Sequence, residues 1–387
     1  MLEHLIVAGA DFHLQWGPNA CDFAAMADRR ARALLRQGAP QTTVRLLDAA
    51  AGTVTRYSMV GGHVRTDIMG RDYGSVWEGT RYEAEAWDHA PDARWRGRLY
   101  PSQRILARDQ LDLMDILYVY DEIQKVGRSN KGTLGEVHFF THGTPDGPQL
   151  LGSRHADGHS IAGSQPMWFP AAGITQLTRS FAPPHGPLVA GAPLEPYDGW
   201  RDPCDTDARV LRDLELYAED SAFASPDEFH AAFAPGGKVI IHGGTFSLLD
   251  DELLVASAWS SGVGRDGPLV ELVRVTGLSD AALHLVTLLF ERDPSVVVRD
   301  GVVRMPRGRW NGFLRSRLER TWAARMANFM GIPVFAPPPG LLAEPAADGA
   351  MAIRRETVQD AMLRVVARAM GPDRGPDEAG YVRFLPS

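Results

Sequence analysis

Two histidines at the ends of apolar runs are the residues best placed for chemistry. His142 and Gly143 follow the run "EVHFFT", and His242, Gly243 and Gly244 follow "KVII" about a hundred positions later. An imidazole at a strand end can act as a general acid or base, and nearby glycine amides can stabilise an oxyanion. Parallel strands end at one edge of a sheet, so the two motifs predict a shared site if their strands are neighbours.

A zinc site is a first alternative, because His138 and His142 are four residues apart. On a helix this spacing places two ligands side by side, whereas on a strand it separates them by roughly 13 Å. Aromatic and β-branched neighbours favour a strand, and the glutamate of the H-E-x-x-H pattern is absent. We therefore expect no metal site and place His138 in the core. Neither Cys21 nor Cys204 lies in a metal-ligand or redox spacing.

Other catalytic motifs are incomplete. "HGGTFS" resembles the oxyanion loop of esterases, but that chemistry needs a G-x-S-x-G nucleophile elbow. The segments "GHSIAG" and "WSSGVG" have neither its spacing nor a preceding core strand. After the first strand there is no G-x-G-x-x-G or G-x-x-x-x-G-K-[ST] motif, so the sequence predicts no nucleotide cofactor.

Composition indicates an ordinary globular protein, with 44% hydrophobic and 23% charged residues in 387. The formal charge of −8 includes no block of like charges, which disfavours a nucleic-acid partner. No apolar run approaches the roughly 18 residues of a membrane span, and the first residues do not form a signal peptide. We expect a cytoplasmic protein without a membrane partner; a peptide or protein partner remains open.

The elements that must position the histidines alternate between strand and helix. Five segments have the character of strands: "LIVAGAD", "TTVRLLDA", "TVTRYSMV", "GEVHFFTH" and "KVIIHGG". Helices are predicted within residues 21–38, 102–126, 225–237, 279–293 and 318–330. This order predicts an α/β fold with a mainly parallel sheet and helices on both faces. "SVVVRDGVVRM" predicts a hairpin that turns at Asp300 and Gly301.

The predicted organisation is one large domain over residues 1–340 followed by an extension. Residues 152–203 are rich in Gly, Pro, Ser and His and show no periodicity, which indicates a loop-rich insertion. Residues 341–387 are expected to form a linker, one helix around Val358 to Met370, and a polar tail.

At this point the chain resembles the caspase-like (clan CD) cysteine peptidases. "VHFFTHG" matches the strand that ends in the catalytic histidine and its glycine, and "KVIIHGGTFS" matches the next core strand except at the cysteine. Bacterial proteins of similar layout share an Asp-rich stretch like "RDPCDTDARVLRD" and a late "GIPV" strand. The resemblance covers roughly residues 1–340 and implies a caspase-like sheet.

The resemblance assigns roles residue by residue. His142 would be the general acid or base, and the amide of Gly143 an oxyanion donor. The nucleophile position falls on Gly244, which has no side chain to attack with. The remaining candidates are substrate-binding residues: Asp205 and Asp207, which could form an acidic pocket or cap a helix, together with His242, Thr245 and Ser247.

Three functions follow as hypotheses. The first is a caspase-like homologue that has lost its cysteine and acts as a binding or scaffolding pseudoenzyme. The second is an active hydrolase in which His142 works with Thr245, Ser247 or a cysteine brought in by the fold. The third is an unrelated α/β enzyme whose His-Gly loops bind a small anion through backbone amides. Each histidine could also be a purely structural residue.

Overall fold

The computed structural model describes most of the predicted elements. The described residues are 2–9, 23–49, 51–70, 116–141, 143–144, 147–148, 226–243, 248–260, 272–319, 321–341, 343–345 and 351–386. The loop-rich insertion predicted over 152–203 lies outside these ranges, and so does the first part of the helix predicted over 102–126.

An eight-stranded sheet forms the centre of the molecule. Its strands are β1 (Leu2–Ala8), β2 (Thr42–Asp48), β3 (Thr53–Val60), β4 (His63–Gly70), β5 (Leu134–Phe140), β8 (Phe233–Ile241), β12 (Val334–Ala336) and β15 (Val382–Phe384). Their order in the sheet is β15-β12-β8-β5-β1-β2-β3-β4. The run from β2 through β1, β5 and β8 to β12 is parallel. Antiparallel pairs extend it at both ends, β2 with β3 and β3 with β4 on one side and β12 with β15 on the other. The predicted α/β class with a mainly parallel sheet is confirmed.

Buried apolar residues explain why the central segments are strands. Leu5, Ile6 and Val7 in β1 are inaccessible to solvent, and so are Val137 and Phe139 in β5. A strand buried on both faces is a near-continuous apolar run, as in the middle of a parallel sheet. The polar exceptions within these runs are therefore informative.

Helices cover both faces of the sheet. Helix α1 (Phe23–Gln37) packs on one face, here called the α1 face, against apolar residues of β1, β2 and β5. The opposite face carries the larger apolar cluster. The other described helices are α2 (Ile116–Ser129), α3 (Pro226–Ala232), α4 (Leu248–Ser260), α5 (Asp280–Leu289), α6 (Arg307–Leu318), α7 (Trp322–Met330) and α8 (Thr357–Met370). None of these described helices has the length and hydrophobicity needed to cross a bilayer.

Smaller sheets complete the described fold. Strands β9 (Leu272–Val275), β10 (Val297–Arg299) and β11 (Val302–Pro306) form an antiparallel sheet in the order β10-β11-β9. Asp300 and Gly301 both have positive φ, 50° and 71°, as a two-residue hairpin turn requires, which confirms the predicted hairpin. The short pairs are β6 (Gly143–Thr144) with β7 (Gly147–Pro148) and β13 (Ala343–Pro345) with β14 (Met351–Ile353).

The C-terminal segment differs from its prediction. The helix expected around Val358 to Met370 is α8, but the expected polar tail contains β15. This strand pairs antiparallel with β12, and both Val382 and Phe384 are buried. Residues 351–386 therefore share the central sheet and its core. The apolar pattern of only three residues is too short to identify a strand from the sequence alone.

Candidate functional site

The carboxyl ends of three neighbouring strands meet at one edge of the sheet. The amide of Gly9 donates to the carbonyl oxygen of Phe140 (2.8 Å), and the amide of His242 donates to that of Phe139 (2.8 Å). β5 and β8 are paired in parallel, with Val137 beside Val239. The expectation that the two histidine motifs follow neighbouring strands is therefore confirmed. The junction between β1 and β5 is also a topological switch point, where open α/β sheets form a crevice.

Beneath this edge, four side chains on the α1 face form a hydrogen-bonded chain. Glu136 Oε2 lies 2.8 Å from His138 Nε2, and His138 Nδ1 lies 2.9 Å from His242 Nε2. His242 Nδ1 lies 2.8 Å from the hydroxyl of Tyr381. His138 and His242 are 0% and 6% exposed, and Tyr381 is 4% exposed. We call Glu136, His138, His242 and Tyr381 the buried polar chain.

The strand period explains how this chain forms. Glu136 and His138 are two residues apart in β5, so their side chains point to the same face. His242 directly follows β8, and Tyr381 directly precedes β15. Phe140 stacks on the His242 ring at 4.2 Å between centroids, and the two imidazoles are within 7° of parallel. The polar chain thus crosses the sheet within apolar surroundings.

Glu136 lies at one end of the buried polar chain and is a carboxylate that pairs with two cations. Arg30 Nη2 from α1 lies 2.9 Å from Glu136 Oε2, and Lys238 Nζ from β8 lies 3.1 Å from Oε1. Burial raises the pKa of this carboxyl, but the hydrogen bond from His138 and the charges of Lys238 and Arg30 outweigh it. The net result is a pKa well below the usual value. Glu136 is therefore ionised at neutral pH and can only accept hydrogen bonds.

The histidines themselves stay neutral. Burial lowers the pKa of His138 to about 4, and Arg30 acts in the same direction while Glu136 opposes it. Burial, His138 and Arg30 lower the pKa of His242 well below its usual value. Burial, supported by Asp377, raises the pKa of Tyr381. At neutral pH the buried polar chain therefore carries one charge, on Glu136.

These protonation states fix the direction of every hydrogen bond. Since Glu136 only accepts, His138 Nε2–H donates to it, and neutral His138 Nδ1 must accept. His242 Nε2–H therefore donates to His138, and His242 Nδ1 accepts from the Tyr381 hydroxyl. Both histidines are Nε2–H tautomers, an assignment that follows from the network. Both ring nitrogens of His242 are thereby occupied inside the protein.

The predicted site residues are only partly within the described structure. Gly143 lies in β6, beside Pro148, and His242 directly follows β8 and belongs to the buried polar chain. His142, Asp205, Asp207, Gly244, Thr245 and Ser247 lie outside the described residues. Their roles stay predictions from the sequence. His138 is a buried strand residue, as predicted.

Sequence reasoning missed Glu136 and Tyr381. A signal for Glu136 existed, because "EVHFF" alternates a carboxylate and an imidazole on one face of an otherwise apolar strand. No local pattern connects Tyr381 with His242, which precedes it by 139 residues.

Among the described residues, no group of three or more His, Cys, Asp or Glu side chains is arranged to hold a metal ion. No protein-family model, curated protein or solved structure matches this chain. The resemblance to caspase-like peptidases therefore rests on the sequence motifs, and the arrangement of β1, β5 and β8 stands on its own geometry.

Proposed function

We propose that this chain is a divergent relative of the caspase-like peptidases that binds a peptide or protein segment without cysteine-peptidase turnover. The observation that carries the proposal is the parallel pairing of β5 with β8. Because β5 and β8 are neighbours, the segments that contain His142 and Gly244 begin at adjacent strand ends. A base and a nucleophile position on such segments can reach each other, but Gly244 supplies no nucleophile.

The buried polar chain supports a binding function rather than a second catalytic base. His242 belongs to the motif nearest to Gly244, yet both of its ring nitrogens are hydrogen-bonded internally. Its low pKa also makes it a weak proton acceptor at neutral pH. Of the two motif histidines, we therefore assign the ligand-binding role to His142.

The test restores the missing thiol by Gly244→Cys. The background carries Cys21→Ser and Cys204→Ser, so that the introduced thiol is the only one. We expect a peptidyl chloromethyl ketone to label the protein at neutral pH, because a neighbouring imidazole raises the thiolate fraction. The matched control adds His142→Ala, which should slow labelling roughly tenfold or more. Mass spectrometry of the intact protein measures both rates.

Two results would overturn the proposal. Equal labelling rates with and without His142, in folded protein, would show that residues 142 and 244 do not share a site. Turnover of peptides or esters by the natural chain, lost in His142→Ala, would replace the binding function by an active hydrolase. In that case Thr245→Ala and Ser247→Ala identify which hydroxyl attacks.

A further inference from the structure

The end of β8 is tied to the C-terminal segment through one hydroxyl group. Tyr381 donates to His242 across 2.8 Å, and its own backbone amide donates to Asp377 Oδ1 (2.9 Å). The next residue, Val382, pairs with Ala336 of β12. The backbone at Tyr381 is thus fixed by Asp377 and by the pairing of Val382 with β12. Its hydroxyl holds His242, the last residue before Gly243.

The contacts around His242 show why a single hydroxyl matters there. The imidazole is 6% exposed, Phe140 covers one ring face, and the Tyr381 ring meets it edge-on with centroids 5.8 Å apart. We expect no water to replace a lost donor without a rearrangement of the ring, because both aromatic rings pack closely on it. A buried acceptor without a partner is costly, so the imidazole would have to move.

We propose that Tyr381 is a positioning residue for the candidate site. Its hydroxyl holds His242, and with it Gly243, just beyond the end of β8 through the directed hydrogen bonds of the buried polar chain, and we call this contact the latch. The C-terminal segment is then part of the site, although it lies far from both histidine motifs in the sequence. This inference deepens the proposed function and rests on it for its meaning. The latch itself stands on contacts that do not involve His142 or Gly244.

The hydrogen bonds of the buried polar chain all point from Tyr381 towards Glu136, and this common direction gives the latch a spectroscopic signature. In a series of hydrogen bonds that all point the same way, each bond polarises the next. Removal of the Tyr381 hydroxyl should therefore weaken the His242 bond to His138 and also the His138 bond to Glu136. A purely space-filling tyrosine would leave the second of these bonds unchanged.

The experiment compares the natural chain with Tyr381→Phe, which keeps the ring and removes the hydroxyl. In histidine-labelled natural protein, we expect NMR to show His138 and His242 as neutral Nε2–H tautomers. In Tyr381→Phe both Nε2–H proton resonances should move upfield, and the His242 amide should exchange with solvent roughly tenfold faster. Amides in the middle of β1 serve as the internal reference.

Tyr57→Phe is the matched control. Tyr57 is also 4% exposed, and its hydroxyl donates to Asp28 at 2.9 Å. Tyr57 belongs to β3, so the loss of its hydroxyl should leave both histidine resonances and the exchange rate of the His242 amide unchanged.

Three outcomes would overturn the latch. These are an Nδ1–H tautomer for His242 in the natural chain, a His138 resonance that does not move in Tyr381→Phe, and equal His242 exchange in the two proteins. The first needs no variant, so the inference stays testable if Tyr381→Phe does not fold. If Gly244→Cys labelling is independent of His142 while the Tyr381→Phe shifts occur, the proposed function fails and the latch stands.

Discussion

At the scale of single residues, two neutral histidines, His138 and His242, lie in a core that is otherwise mainly apolar. His138 and His242 are tolerated in the core because each ring nitrogen has a partner, and the one charge beneath them is matched by Arg30 and Lys238. Fully satisfied polar networks specify a unique arrangement, whereas partly satisfied ones are costly. The protonation of these histidines should therefore control stability.

The free energy of unfolding should decrease as the pH falls below about 6.5. His138 has a pKa of about 4 in the folded protein against an ordinary histidine pKa of 6.5, so the unfolded chain takes up a proton at this residue first. Between these values the difference amounts to roughly 3 kcal/mol for His138, and His242 shifts in the same direction. Glu136 has a lowered pKa, so its contribution is present above 4.5 and is lost at lower pH.

Urea unfolding at a series of pH values measures this dependence. The control is His63→Gln, which changes an exposed histidine of β4 and should leave the slope as it is. A free energy that does not fall with pH between about 6.5 and about 4.5 would contradict the neutral, buried state of the two histidines.

From the sequence, His138 was predicted as a core residue and His242 as a candidate binding residue, and the hydrogen-bonded network that joins them was not predicted. His138 and His242 stand out as polar residues in apolar strands, and the strand period places Glu136 on the same face as His138. Their mutual contact needed the β5–β8 pairing, which the sequence suggested only through the family resemblance. Tyr381 could not be found, because a hydrogen bond over 139 residues leaves no periodic trace.

At the scale of elements, the strands that carry the site are preceded by helices that touch each other. Helix α2 leads into β5, and α3 leads into β8, and these two helices pack closely. Gly127 of α2 makes the approach possible, because a Cβ there would meet the backbone carbonyl of Glu228 in α3. The helix contact therefore helps to set the relative positions of β5 and β8.

Gly127→Ala should destabilise the protein by about 1–3 kcal/mol, since the two helices must separate to admit the methyl group. The matched control is Gly312→Ala in α6, where an added Cβ meets nothing within 4 Å. That variant should be neutral or stabilise by roughly 0.5–1 kcal/mol, because alanine favours the helix. Equal effects of both substitutions on urea unfolding would show that the α2–α3 contact is not tight.

Element prediction succeeded where the local pattern was strong. β1, β5 and β8 are apolar runs bounded by glycine, and the Asp300-Gly301 turn identifies its hairpin. Helix α4 was missed because its apolar residues are not confined to one stripe, as expected for a helix buried within the larger cluster. The start of the helix predicted at Leu318 was wrong, because α6 ends there and α7 begins at Trp322.

At the scale of the whole molecule, the C-terminal segment completes the sheet. β15 covers the edge of β12, and α8 packs against α4 and α6 on the opposite face. Residues 351–386 are therefore part of the same core as the strands that carry the candidate site.

Val382→Asp should test this integration. It introduces a carboxylate at a position that is 0% exposed and should destabilise the whole protein by more than about 3 kcal/mol. Arg383→Asp, one residue further on the exposed side of β15, is the control and should have a much smaller effect. Thermal denaturation monitored by circular dichroism checks both. If Val382→Asp melts like the natural chain, β15 does not belong to the cooperative core.

The buried polar chain also constrains the order of folding. Its members come from positions 136, 138, 242 and 381, so its hydrogen bonds join residues 104 and 139 positions apart. Contacts of such sequence separation form slowly, because loop closure precedes any gain from them. Until β15 docks, His242 Nδ1 lacks the Tyr381 hydroxyl as its donor. We therefore expect the buried polar chain to be completed only when β15 docks on β12.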